Sequence, residues 1–380
     1  MERIKYLDGL RAIAAFTVLG NHIATLFFPG MFNYNEATAH FSKEILFSTT
    51  PLFALINGQT AVIIFFILSG YLIGNKYFLS KNNDVLIRTV FRKYLTLFLP
   101  CLFSMIVGYI IVRFSLTAAD KVNPGYRLWL FTPSLKDAIY RGVIGIFKGG
   151  SLNTYNVSLW TIIYEVRGTL IAVALLAIFG KYKIRYAIYV LFILLSKKDF
   201  YALHILCFVV GVILNDLNVN AKFNYKIFKN PVLHVFLLAS GFILTIYPVT
   251  IINEHKFLYG LMQKYSGNND VIYRITGVVM IFFVLLNSIT MQKILGSKFL
   301  SKIGEVSFSI YIIHLSVLAT LSSYIFLILN KRLNYNYSAS IAILVSFLII
   351  YVIAVLIHRY INLKGIKMAN FICEKMLNNE

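Results

Sequence analysis

A succession of apolar segments recurs along the whole chain and limits the fold more than any other feature. Most of these segments contain about 20 residues, enough for a helix to cross roughly 30 Å of hydrocarbon. Of the 380 residues, 59% are hydrophobic and 13% are charged, a composition typical of polytopic membrane proteins. The sequence therefore predicts an all-α membrane protein with about ten transmembrane helices. We expect a single domain over residues 1–380 with no appended soluble domain.

The predicted segments differ in length. They are 10–29, 60–79, 94–114, 159–179, 184–196, 200–215, 231–252, 271–290, 305–329 and 341–358. The fifth and sixth are short and separated only by the sequence KKDF, so we expect them to be tilted or partly broken. The connection at about 115–158 contains GYRLWLF and YRGVIGIFKGG. Its apolar and aromatic content predicts a folded outer cap or a re-entrant element and not a disordered loop.

The formal net charge of +21 first suggests a nucleic-acid partner. The lysines and arginines fall mostly in short segments between apolar runs, where the positive-inside rule places them, so we expect no nucleic-acid binding. The bias of the short loops predicts that both termini lie inside, in a multi-pass protein of the cell inner (plasma) membrane. Cys101, Cys207 and Cys373 lie far apart without metal-ligand spacing, so no metal site is predicted.

The first apolar segment, in YLDGLRAIAAFTVLGNHIATLFF, contains an arginine and a histidine eleven residues apart. On a helix, Arg11 and His22 project from one face, about 16 Å apart along the axis. Asp8 and Gly9 predict an N-cap. Arg11 is then either an interfacial anchor or a functional cation. His22 lies at membrane depth, where it either bonds a neighbouring helix or acts as a general base.

The fourth segment opens with SLWTIIYEVRG and carries Glu165 and Arg167 about one turn inside the membrane. Two residues apart, they point to different helix faces and do not simply neutralise each other. Glu165 therefore needs another partner, and His22 is a candidate. The alternative is a structural contact between Glu165 and an arginine or tyrosine of another helix.

Three basic side chains, Arg88, Arg92 and Lys93, lie in LIRTVFRKYLTLFLP, just before the third segment. Such a cluster is typical of a cytoplasmic loop under the positive-inside rule. It also suits an anion site for a phosphate-rich cytoplasmic ligand, because guanidinium groups match phosphate geometry. Near the end of the chain, KIGEVSFSIYIIHLSV places His314 within the ninth segment, where packing is the favoured interpretation.

Four stretches together resemble the acyltransferase-3 family of integral membrane O-acyltransferases, which includes O-antigen and surface-polysaccharide acetylases. They occur in family order and span most of the chain. The most specific is the arginine–ten residues–histidine motif after Leu-Asp-Gly-Leu, and FFILSGYLI supports it. The stretches are YLDGLRAIAAFTVLGNH at 6–22, PLFALINGQTAVIIFFILSGYLI at 51–73, SLWTIIYEVRGTLI at 158–171 and KIGEVSFSIYIIHLSV at 302–317.

The resemblance implies transfer of an acyl group, commonly acetyl, from cytoplasmic acyl-CoA to an acceptor hydroxyl. The acceptor would be a cell-envelope or surface glycan or a lipid-linked sugar. Acyl-CoA, with acetyl-CoA the common case, is then a donor substrate, and no permanently bound cofactor is expected. The resemblance implies that His22 is the catalytic residue. It would deprotonate the hydroxyl for direct attack, or take the acyl group itself and pass it on.

The resemblance also assigns roles to the other charged residues. Glu165 matches the family's acidic position in the fourth segment, where it would orient His22 or stabilise its imidazolium. The residues that would support donor binding are Arg11, Arg88, Arg92 and Lys93. Arg92 and Lys93, with Arg88 upstream, keep positive charge in this motif, but the chain departs from the family beside them, because members usually carry several arginines up to the following proline. Here Tyr94 and Leu97 stand at two of those places.

A polytopic transporter or flippase of a lipid-linked or small-molecule substrate is the main alternative, since ten helices with charges in the membrane would also suit one. Against it, the sequence has no pair of Gly/Pro-interrupted half-helices at equivalent positions in two halves. A glycan polymerase with a large outer loop is a third possibility. Transfer or hydrolysis of acetyl-CoA by the purified protein distinguishes the acyltransferase from both.

Overall fold

The computed structural model describes residues 4–33, 38–41, 43–148, 155–196, 199–220, 229–248, 259–260, 262 and 270–377. Ten apolar helices correspond to the ten predicted segments. They are α1 Lys5–Phe27, α2 Gly58–Ser80, α3 Asp84–Arg113, α4 Ile162–Phe179, α5 Arg185–Leu195, α6 Phe200–Val219, α7 Pro231–Thr245, α8 Asp270–Asn287, α9 Lys298–Leu329 and α10 Tyr335–Met376. A π-helical turn lies within α9 at Leu318–Ser322 and within α10 at His358–Asn362.

The helices confirm an all-α membrane protein. Within the described residues the secondary structure is helical and contains no strand. Eight of the ten helices are long and apolar enough to cross a membrane, whereas α5 and α7 are shorter apolar helices. Ten crossings therefore stay a prediction. The KKDF connection between α5 and α6 lies partly outside the described residues, and α6 begins after Asp199, whose carboxylate accepts a hydrogen bond from the Ala202 backbone at 2.9 Å.

Two helices begin earlier than the sequence indicated. α3 begins at Asp84 and not near residue 94, because the Asn82 side chain accepts a hydrogen bond from the Asp84 N–H at 2.9 Å. The Asp84 carboxylate also places negative charge at the positive helix end. The prediction that the basic residues at 88–93 precede the helix is therefore wrong, since they lie within it. α1 begins at Lys5, which places Asp8 in its first turn and not at its N-cap.

The long connection between α3 and α4 is folded in its described part, as predicted. It contains short helices, among them Ala119–Val122 and Leu135–Tyr140. Tyr155 fastens this connection in two places. Its hydroxyl donates a hydrogen bond to the Ser134 carbonyl at 2.9 Å, and its own carbonyl accepts one from the Trp129 indole at 3.1 Å.

The chain forms two compact units. Unit 1 comprises Met1–Ala14, Gln59–Lys93 and Tyr164–Gly304, and unit 2 comprises Ala15–Gly58, Tyr94–Ile163 and Glu305–Glu380. Each unit therefore assembles segments that are far apart in the sequence, and helices such as α1 and α3 contribute residues to both. A single domain over the whole chain stays a prediction.

In unit 1, α2 and α6 touch backbone to backbone. A Cβ atom at Gly70 would lie 2.0 Å from the Phe208 carbonyl oxygen, and one at Gly211 would lie 2.1 Å from the Ile67 carbonyl oxygen. Within a bilayer, such close approach between small residues supplies the packing that holds helices together. The glycine of FFILSGYLI therefore positions α2, the helix that also carries a polar part of the candidate site.

Both termini are predicted to lie on the cytoplasmic side, as the bias of Lys and Arg in the short loops requires. A cytoplasmic reporter fused after Glu380 is expected to be active, and alkaline phosphatase fused there is expected to be inactive. Fusions at Lys81 and at Lys121 serve as inside and outside controls. An active phosphatase after Glu380 would mean an odd number of crossings, with only one of α5 and α7 passing through the bilayer.

Candidate functional site

Four basic side chains come together in unit 1, and we call Arg11, Lys76, Arg92 and Lys93 the basic cluster. Lys76 lies near the end of α2, and Arg92 and Lys93 lie in the third turn of α3. The Lys76 ammonium is within electrostatic range of Arg92, Lys93 and Arg11. Three helices thus contribute to one region of positive charge.

The first turns of α1 hold Arg11 in place. The guanidinium Nη1 donates to Asp8 Oδ1 at 2.9 Å, and Asp8 is only 2% exposed. Two glycines allow other backbones to pack against this turn. A Cβ at Gly9 would lie 1.9 Å from the Leu295 carbonyl oxygen, and one at Gly304 would lie 2.0 Å from the Asp8 carbonyl oxygen. The Leu-Asp-Gly-Leu motif therefore orients Arg11, and the bond to Asp8 uses one of the five N–H donors of its guanidinium.

The Glu165 carboxylate contacts the basic cluster. Its Oε1 accepts a hydrogen bond from Ser69 Oγ at 2.6 Å and forms an ion pair with Lys93 Nζ. The Glu165 side chain is 15% exposed and the Lys93 side chain 24% exposed, so the pair is largely shielded from water. Arg167 is exposed, in agreement with the expectation that it faces another side of α4.

The structure gives Glu165 an interhelical partner of the kind that the sequence left open, with a lysine in place of an arginine or tyrosine. Coupling of Glu165 to His22 stays a prediction. Arg88 lies one turn before Arg92 on α3, so the two share a helix face. Lys76 was missed by sequence reasoning. Its only signal was a lysine inside the predicted segment at 60–79.

Two histidines come together in unit 2, and we call His22 and His314 the histidine pair. Their ring centres lie 5.0 Å apart, with an angle of 41° between the ring planes. His314 is fully buried, and its Nδ1 lies 3.2 Å from the carbonyl oxygen of Ile310, one turn earlier in α9. His22 is half-buried. Packing was the favoured sequence interpretation of His314, and its place beside His22 was not foreseen.

A buried polar network fixes the segment of α9 that carries His314. The Tyr311 hydroxyl donates to the Ser158 carbonyl and lies 2.7 Å from Thr161 Oγ1. The Asn156 side chain donates to the Ile312 carbonyl at 2.8 Å. These bonds tie α9 to the turn that precedes α4, so the motifs SLWTIIYEVRG and KIGEVSFSIYIIHLSV meet in unit 2.

Each group of side chains suits a different chemical task. The basic cluster, with its lysine and arginine donors, suits an anion with several phosphates. The histidine pair offers the imidazoles that general base or nucleophilic catalysis requires. Among the described residues, no group of three or more His, Cys, Asp or Glu side chains could hold a metal ion.

Comparisons with known proteins agree with the motifs. A family model described as an acyltransferase domain matches residues 4–359, a range that contains every candidate site residue. A curated relative, the O-acetyltransferase PaAT-1 of Phomopsis amygdali, is 20% identical over 435 aligned positions. The alignment covers 100% of this chain and 86% of that relative. No solved structure matched.

Proposed function

The chain belongs to the acyltransferase-3 family, and on that premise we propose that it transfers acetyl from cytoplasmic acetyl-CoA to a hydroxyl of a cell-envelope or surface glycan. Family membership makes it an acyl-transferring enzyme, and its apolar helices make it a membrane protein. The proposal specifies three further points: the donor is acetyl-CoA, the acceptor is a glycan hydroxyl, and the enzyme lies in the inner (plasma) membrane. The distant O-acetyltransferase relative supports an oxygen acceptor.

The basic cluster is the observation that carries the proposal. Acyl-CoA concentrates its negative charge on phosphates at one end and holds the thioester at the end of a thin arm. Arg11, Lys76, Arg92 and Lys93 concentrate positive charge in unit 1, and we assign them to the phosphates. Cations that face phosphates form charge-assisted hydrogen bonds, which are about twice as strong as neutral ones.

His22 is the proposed general base. Its imidazole takes the proton from the acceptor hydroxyl while the hydroxyl oxygen attacks the thioester carbonyl carbon. The new C–O bond forms, the C–S bond breaks, and the departing thiolate takes the proton from the imidazolium. α1 is one continuous helix, so it carries Arg11 and His22 on one face, about 16 Å apart along its axis.

Purified protein with acetyl-CoA and membrane glycolipid acceptors tests this function. We expect release of free CoA thiol to match the acetyl groups gained by the acceptor. Surface glycans of cells that lack the gene should lose the mass of one acetyl group. Intact acetyl-CoA together with movement of a substrate across proteoliposomes would instead identify a transporter and overturn the proposal.

Neutralising the basic cluster is expected to weaken donor binding. Arg11→Gln and Lys76→Gln should each raise the KM for acetyl-CoA about tenfold with little change in kcat, because they remove contacts made equally in the ground and transition states. A smaller increase is expected for Arg92→Gln, and smaller ones again for the corresponding Arg88 and Lys93 variants.

The matched control for this series is Arg113→Gln, which removes a cation at the opposite end of α3. Its KM for acetyl-CoA is expected to equal that of the wild type. If the KM for acetyl-CoA is unchanged in every variant of the series, these cations do not bind the donor phosphates. They would then only set the orientation of the protein in the membrane.

A further inference from the structure

We propose that His314 is a second functional histidine, a positioning residue that accepts a hydrogen bond from protonated His22 and shares its positive charge. The inference rests on the proposed function, because it takes His22 as the base of acyl transfer. It assigns a role to a buried side chain for which the sequence favoured only packing. The 5.0 Å separation of the two ring centres is its starting point.

The surroundings of His314 fix its tautomer. A backbone carbonyl oxygen can only accept, so the 3.2 Å contact between Nδ1 and the Ile310 oxygen places the ring hydrogen on Nδ1. The neutral ring then presents a lone pair on Nε2. Within the described part of the chain this buried nitrogen has no hydrogen-bond partner. Since an unsatisfied buried polar atom is costly, such an atom calls for a partner during function.

His22 is placed to be that partner. Ring centres 5.0 Å apart leave about 3 Å between nitrogens that face each other, which is the length of an N–H···N hydrogen bond. A rotation of the His22 ring that directs one of its N–H groups at Nε2 would form this bond. The bonds of Tyr311 to Ser158 and Thr161, one turn before His314, hold the receiving ring still.

The histidine pair stabilises the positive charge that forms on His22 during proton transfer. When His22 takes the hydroxyl proton, it becomes an imidazolium in a region with little water, where an isolated charge is unfavourable. The lone pair of His314 then accepts the N–H of His22, and the positive charge is spread over two rings. When the C–S bond breaks, the proton passes to the thiolate and both rings return to neutrality. Charge stabilisation of this kind acts on the transition state and therefore on kcat.

Two substitutions separate this role from packing. His314→Phe preserves an aromatic ring and removes both nitrogens, whereas His314→Gln preserves a hydrogen-bond acceptor and fills the space less well. Packing predicts that the Phe variant is the more active of the two. The proposal predicts the reverse order, with kcat of the Phe variant lowered about 10²-fold and that of the Gln variant lowered about tenfold. The KM for acetyl-CoA should not change in either.

His204 provides a matched control. It is also a buried helical histidine, with Nδ1 2.8 Å from the carbonyl oxygen one turn earlier, but its ring neighbours are Phe66, Tyr164 and Phe200. His204→Phe is expected to keep kcat within about threefold of the wild type. An equally large loss in this variant would show that any buried histidine matters for folding and would overturn the special role of His314.

The outcomes also separate this inference from the proposed function. A wild-type protein that transfers acetyl, together with a His314→Phe variant at least as active as His314→Gln, would overturn the role of His314 alone. A wild-type protein that leaves acetyl-CoA intact would overturn the proposed function itself. If the Phe variant fails to accumulate, His314→Leu replaces it as the apolar substitution. A kcat of the Leu variant equal to that of the Gln variant would then overturn the proposal.

Discussion

Purified His22→Ala protein is expected to lose acyl transfer, with kcat lowered at least about 10²-fold, while it still inserts and accumulates. General acid–base residues typically contribute about 10²–10⁴-fold. An alanine removes the imidazole without disturbing α1, because alanine is the strongest helix former. The measurement is the release of CoA thiol at saturating donor and acceptor.

Thr25→Val is the control for this variant. Thr25 lies one turn beyond His22 on α1, and its hydroxyl donates only within the helix, to the Asn21 carbonyl at 2.8 Å. We expect normal turnover in the control and unchanged KM for acetyl-CoA in both proteins. A His22→Ala protein that keeps more than about a tenth of the wild-type kcat would show that His22 is not the base.

Periodicity along one helix was readable from the sequence. The spacing of Arg11 and His22 depends only on helical geometry, and the continuous helix α1 confirms that both belong to one element. The apolar segments likewise appear as helices, because burying backbone polar groups in lipid leaves few other solutions. The start of α3 was harder, since a charged turn outside the apolar core has no hydropathy signal.

Contacts between helices could not be predicted from the sequence. Lys76 joins the basic cluster because the folded chain brings it within electrostatic range of Arg11, Arg92 and Lys93. The helix that carries it, α2, is positioned by contacts such as the close approach of Gly70 to Phe208 on α6. His314 meets His22 although 292 positions separate them, a juxtaposition that no local pattern encodes. The sequence identified residue types suited to acyl transfer, and the fold decided which of them are neighbours.

Glu165 shows both what the sequence can predict and what only the folded structure determines. The expectation that it needs a partner other than Arg167 follows from their spacing of two residues, and the structure supplies Lys93 and Ser69. Because the pair is largely shielded, removal of one partner leaves a charge poorly solvated. Glu165→Gln and Lys93→Met are each expected to lower the free energy of unfolding by about 1–3 kcal/mol, below the range for fully buried pairs. Asp137→Asn, which breaks the more exposed pair with Arg141, should cost less than about 1 kcal/mol.

The double variant Lys93→Met/Glu165→Gln separates the structural role of Glu165 from its proposed catalytic role. Removing both charges should restore most of the thermal stability measured in detergent, because neither charge is then left unpaired. We expect kcat to stay at least about tenfold below wild type in both Glu165→Gln and the double variant, since each lacks the carboxylate that is proposed to support His22. Lys93→Met alone should keep kcat and raise only the donor KM. Recovery of wild-type kcat in the double variant would mean that Glu165 serves only to neutralise Lys93, and its coupling to His22 would then be wrong.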